Sequence, residues 1–147
     1  MDFLTAMDVA ASGLKSNRTW LNVVSMNMAN ARTTQTAGGG AYVRKSVSFE
    51  SSPVYSPFDR AMFDAQNRDL EGVAVRGIVQ DQRPFRMVFE PNHPDANEQG
   101  YVAYPDINVV EEMTNMMTAM RSYEANAQSV NAVKRMFQKA VRIGQGA

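Results

Sequence analysis

The stretch INVVEEMTNMMTAMRSYEANAQSVNAVKRMFQKAVR, residues 107–142, decides the fold. It holds neither Pro nor Gly. Val109, Met113, Met116, Met120, Tyr123, Ala127, Val130, Phe137 and Val141 recur at steps near four and three, the spacing of a helix with a coiled-coil-like seam. Asn108 is placed to cap the helix, with Glu111 at its third position as in a capping box. Glu111 and Glu112 open the stretch, and Lys134, Arg135, Lys139 and Arg142 close it, an order that complements the helix dipole. Gly144 then offers a left-handed stop. At about 1.5 Å per residue the helix is roughly 54 Å long. That exceeds what the core of a 147-residue chain can cover, so its apolar stripe needs cover from elsewhere.

Composition narrows the function classes. Charge is balanced, with 15 basic and 15 acidic residues, which gives electrostatic nucleic-acid binding little support. No run approaches the roughly 20 apolar residues of a membrane span. The N-terminus lacks the basic flank and apolar block of a cleaved signal peptide. There is no cysteine, which excludes disulfides and thiolate metal sites. Met is abundant at 11 residues, with Met113, Met116, Met117 and Met120 close together. Methionine adapts to irregular packing surfaces, and four on an over-long helix point to an interface.

Residues 1–32 read as a second amphipathic helix. Met7, Leu14, Leu21 and Met28 are seven apart, and so are Phe3, Ala10, Asn17 and Val24. Together they form a second seam with one polar intruder, Asn17. Gly13, which weakens a helix by about 1 kcal/mol relative to Ala, indicates close packing. The run from Ser25 to Asn30 is rich in side chains that bond locally to the backbone, so fraying is expected there. Residues 33–40, ending in three glycines, have the composition of a flexible linker.

The middle, residues 33–106, is β-rich. Val43, Val47 and Phe49 predict one strand, Val73, Val75 and Val79 a second, and Phe85, Met87 and Phe89 a third. Asp81-Gln82-Arg83-Pro84 suits a hairpin between the second and third. Residues 51–70 read as a long loop, residues 90–100 as turns, and residues 101–104 as a short last strand. The expected fold is α+β, with long terminal helices packing in a coiled-coil-like manner around a small β-rich insert. Residues 107–147 form the last helix and its tail.

Chemistry is sparse. The sole histidine, His93, sits between Pro91 and Pro94 with Asp95 nearby, without a second imidazole or a nucleophile. A structural turn accounts for it better than a metal ligand or a catalytic base. The three glycines lack the Lys-Ser/Thr of a phosphate loop. No catalytic residue, cofactor or metal is expected. Asn126, Gln128 and Asn131 put amides along the last helix, where they could bond across a helix–helix interface, with Asn17 a partner of the right type.

The motifs resemble a known family. Ser12-Gly13-Leu14, Leu21-Asn22-Val23, Asn27-Met28-Ala29-Asn30 and Thr33-Thr34 look like the N-terminal motif of bacterial flagellar rod, hook and related axial proteins. Glu111-Glu112-Met113, Met120 and the run from Arg121 to Asn126 look like its C-terminal partner. Gly72-Val73, Gly77-Ile78-Val79, the run from Pro91 to Ala96, and Gly100-Tyr101-Val102 are similar to the proximal-rod branch. Met28 stands where that family usually has Ile or Leu, and Asp106 replaces the commoner Asn.

The resemblance implies a structural subunit of the basal-body rod, exported without a cleaved signal and assembled as a helical tube across the periplasm. Its implied partners are copies of itself, other rod proteins, the flagellar export apparatus and the basal-body ring. Expected interface residues are Leu14, Leu21, Val24, Met28, Met113, Met116, Met120, Tyr123, Val130 and Phe137. Asn27 and Asn30 are expected to shape the turn out of the first helix. The rival expectation is a soluble helical adaptor or export chaperone that uses the same seams transiently.

Overall fold

The computed structural model describes residues 3–53 and 71–144. Its elements run α1 (Phe3–Ala29), β1 (Lys45–Pro53), β2 (Glu71–Gln80), β3 (Arg86–Phe89), β4 (Tyr101–Tyr104) and α2 (Val109–Gly144). In chain order two long terminal helices thus flank a small β region, an α+β fold. Of the loop expected at residues 51–70, the first three residues complete β1 and the rest lies outside the described residues.

The last helix starts where its cap predicts. Asn108 Oδ1 accepts from Val110 N at 3.0 Å and from Glu111 N at 3.4 Å. The first helix does not fray at Ser25. It holds to Ala29, because Asn30 Nδ2 donates to the Met26 carbonyl at 2.9 Å and caps the last turn. The segment after it is a set of bonded turns rather than an unstructured linker. Gly39 and Gly40 take φ of 85° and 75°, and Tyr42 N closes back on the Thr33 carbonyl at 3.1 Å.

The strand pairing differs from expectation. β1 pairs with β2, and β3 with β4, in two separate two-stranded sheets. No hairpin joins β2 to β3. Asp81 instead holds Arg44 and Arg83, so the turn-like sequence around it serves ion pairing. β3 and β4 are antiparallel, with Val88 opposite Val102 and Phe89 opposite Tyr101. Gly100, at φ 80°, lets the chain turn into β4 where a Cβ would lie 2.8 Å from the Phe89 ring.

The described chain forms two compact units. One holds α1 to Thr19, the strand segments between Phe49 and Arg76, and α2 from Ala119. There Val73 N donates to Ser12 Oγ at 3.1 Å, and Ser16 Oγ donates to Val73 O at 3.0 Å. Helix hydroxyls satisfy this strand residue as a neighbouring strand would. Phe3 meets Phe137 edge-to-face at 6.0 Å, and Gly13 lies against Asn126. Ten residues forward on α1 match eleven back on α2, so the helices are antiparallel in this unit. The other unit holds Trp20–Ser48 and Gly77–Thr118, with Val23, Val24, Ala41 and Val102 buried at its centre.

Candidate assembly interface

In the second unit a polar cluster, unusual for so small a core, sets the geometry. Asn27 is 1% exposed, and its amide uses its full bonding capacity. Its Nδ2 donates to the Lys45 carbonyl at 2.7 Å and to Glu112 Oε2 at 3.1 Å. Its Oδ1 accepts from Lys45 N at 3.0 Å and from Tyr42 Oη at 3.1 Å. Asn27 therefore pairs with both backbone groups of the first residue of β1, as a strand would. Glu112, also 1% exposed, accepts from Arg44 Nε at 2.9 Å and Nη2 at 2.6 Å. Arg44 Nη1 reaches Asp81 at 3.3 Å, and Arg83 Nε meets the same carboxylate at 3.0 Å.

Charge and burial oppose one another at Arg44 and reinforce one another at Tyr42. Burial works against the Arg44 charge, but the hydrogen bond and charge of Glu112, with Glu111 and Asp81 beyond, hold its pKa above the ordinary arginine value. Burial, then the negative charge of Glu112, raises the Tyr42 phenol above its usual 10.0. Among the described residues no buried side-chain polar atom lacks a partner.

The inward side of α2 carries Glu112, Ala119, Asn126 and Val133, seven apart, with Glu112, Ala119 and Val133 buried and Asn126 half-buried. The expected methionine seam lies on a different side. Met113 is 50% and Met120 48% exposed, while the third expected methionine, Met116, is half-buried and its neighbour Met117, at 56%, completes the open stripe, at helical spacing with exposed Val109 and Val110. The helix therefore has two stripes, a polar and small one used within the chain and an apolar one left open.

Each expected interface residue can now be placed. Met113, Met120, Tyr123 and Phe137 are exposed, and Leu14, Leu21, Met28, Met116 and Val130 are half-buried. Phe137 also meets Phe3 within the chain. Val24 differs from the others: at 2% exposure it is buried within the chain itself. Asn126 faces Gly13 across the helices rather than Asn17, because the backbone without a Cβ there admits its amide. Asn30 accepts from Thr33 Oγ1 at 3.2 Å in the turn after α1, and Asn27 sits in the cluster above. His93 lies in the turn between β3 and β4, where its Nδ1 accepts from Asp95 N at 3.1 Å. Among the described residues no three His, Cys, Asp or Glu side chains converge to hold a metal ion.

The sequence reading missed Arg44, Tyr42 and the burial of Glu112. The signal was present in the seven-residue spacing of Glu112 with Ala119, Asn126 and Val133. A search for hydrophobic periodicity passes over a stripe made of such residues.

Comparison with known proteins fixes the family. The family described as "Flagellar basal body rod FlgEFG protein C-terminal" matches residues 98–143. The flagellar basal-body rod protein FlgC of Borreliella burgdorferi is 37% identical, aligned over 99% of this chain and 100% of its own. This chain belongs to the FlgC family of flagellar basal-body rod proteins. The FlgC of Bacillus subtilis is 36% identical over 95% of this chain and 97% of its own, and that of Salmonella typhimurium 36% over 99% and 100%. The match to the broader rod family spans β4 and nearly all of α2, so the segment this chain shares with other rod proteins contains the open methionine stripe.

Proposed function

We propose that the chain is a non-enzymatic structural subunit of the proximal rod of the bacterial flagellar basal body. It assembles helically with copies of itself and other rod proteins and transmits torque through packed helices. The observation that carries this reading is the open stripe of Met113, Met117 and Met120 on a helix whose opposite side is already satisfied within the chain. Exposed apolar patches of this kind mark interaction sites. Full-length relatives named as rod proteins favour this over a transient adaptor or export chaperone. In this reading the chain reaches the periplasmic rod through the flagellar export apparatus, without a cleaved signal peptide, and meets the basal-body ring there. Among the described residues no helix is long and apolar enough to cross a membrane.

Met120→Asp tests the proposal. Met120 is 48% exposed in the chain, so the substitution leaves folding within about 0.5 kcal/mol. In an assembled rod it would bury an unpaired charge at a cost of several kcal/mol. The expected result is a folded chain absent from purified basal bodies, in non-motile cells. Normal incorporation and motility would overturn the interface.

A further inference from the structure

The β3–β4 hairpin has one buried and one open face. Val88 is half-buried and Val102 fully buried on the inner side. On the outer side Met87 is exposed, Phe89 is 62% exposed, and Tyr101 stands opposite Phe89 with their rings 5.3 Å apart, edge-to-face. The flanking chain is acidic. From Pro84 to Asp106 it carries Glu90, Asp95, Glu98 and Asp106 against Arg86 alone.

The last turns of α2 have the opposite character. From Ala125 to Gly144 the chain carries Lys134, Arg135, Lys139 and Arg142 and no acidic residue. Helical spacing puts Arg135, Lys139 and Arg142 beside Met136 and Ile143 on one side. Met136 is 52% and Ile143 80% exposed, and among the described residues no ion pair engages these cations.

We propose that the open hairpin face of one copy docks the basic, apolar end of α2 of another copy. The occupant is argued from charge: a hairpin with a net surplus of acids meets a helix end with only cations. The chemistry of the apolar centres also matches, since methionine sulfur packs favourably on aromatic rings. Two different surfaces on one chain make a heterologous contact, and such contacts propagate into rings or helical filaments. The inference rests on the rod reading for its biological setting and supplies a second joint, separate from the methionine stripe.

The absence of native cysteine permits a direct test. The full-length chain carrying Glu98→Cys and Lys139→Cys together is oxidised, both in solution at high protein concentration and in isolated basal bodies. The expected product is a ladder of disulfide-linked multimers, falling several-fold when salt rises from about 50 to 500 mM as the charges are screened. Each single-cysteine chain should give at most dimers. An intramolecular disulfide overturns the proposal. So does absence of a ladder from both samples, or a ladder equal to that of a Glu98→Cys, Lys15→Cys control. Adsorption of the helix end to anionic lipid vesicles without a ladder also overturns it. If the double-cysteine chain is present in basal bodies yet gives no ladder, this joint fails while the rod reading stands. If the wild-type chain is missing from basal bodies, the rod reading itself fails.

Discussion

Arg44→Met should be the most damaging single substitution in the polar cluster. It removes two short hydrogen bonds, at 2.9 and 2.6 Å, from a carboxylate that is 1% exposed. Glu112 keeps only the Asn27 amide. Breaking a buried pair from one side costs about 3–5 kcal/mol. Against a typical total stability of about 5–15 kcal/mol, that is a large share. Glu112→Leu should cost less, about 1–3 kcal/mol, because Arg44 retains Asp81 at 3.3 Å and the main loss is the buried Asn27 N–H left without its carboxylate acceptor. The double variant removes both charges and leaves neither stranded. Its loss should fall short of the summed single losses by about 2 kcal/mol. The assay is urea unfolding of the full-length chain followed by far-ultraviolet circular dichroism. With a slope of about 1.5 kcal/mol per molar, Arg44→Met should lower the midpoint by about 2–3 M, or leave the chain unfolded in buffer. A midpoint within about 0.5 M of wild type, or strictly additive single losses, would refute the claim that this pair is buried and coupled.

Two further outcomes follow from the helix contact and from the phenol. Gly13→Ala should gain less than the helix-propensity increment of about 1 kcal/mol, because its Cβ would sit 2.6 Å from Asn126 Nδ2 and the amide must turn aside. Adding Asn126→Ala should restore the full gain, and a full gain from Gly13→Ala alone would show the contact to be loose. Tyr42 has its folded pKa raised, so its neutral form is favoured by folding. Its contribution is complete below the unfolded value near 10.0 and is lost as pH rises through the folded value. Ultraviolet titration of tyrosinate should show a late-ionising phenol that disappears in Tyr42→Phe, and an unchanged curve would contradict the burial of that ring beside Glu112.

Much of the architecture was legible in the chain because its signals are local. Helical periodicity and the Asn108 cap locate α2, and period-two runs locate the strands. Gly13 marks close helix packing because a missing Cβ matters only where something approaches. The strand partners were not legible. Asp81-Gln82-Arg83-Pro84 has turn chemistry, but turn chemistry says where a chain changes direction and not which strand it meets. The inward helix sides were also hidden. Ser16, Asn27, Glu112 and Asn126 are polar, and their burial depends on partners far along the chain, such as Val73, Lys45 and Arg44. Hydrophobic patterning found the other stripe, Met113 and Met120, and that stripe is open in the chain. Under the proposed rod reading this inversion has a physical cause: the strongest apolar signal is reserved for surfaces covered only on assembly.

The central claim is that another chain covers the α2 methionine stripe in the rod. Imaging of an assembled basal body at side-chain resolution tests it most directly. The account predicts Met113, Met117 and Met120 packed against a neighbouring subunit with no solvent between them. The same three side chains standing open to water in the assembled rod would contradict it.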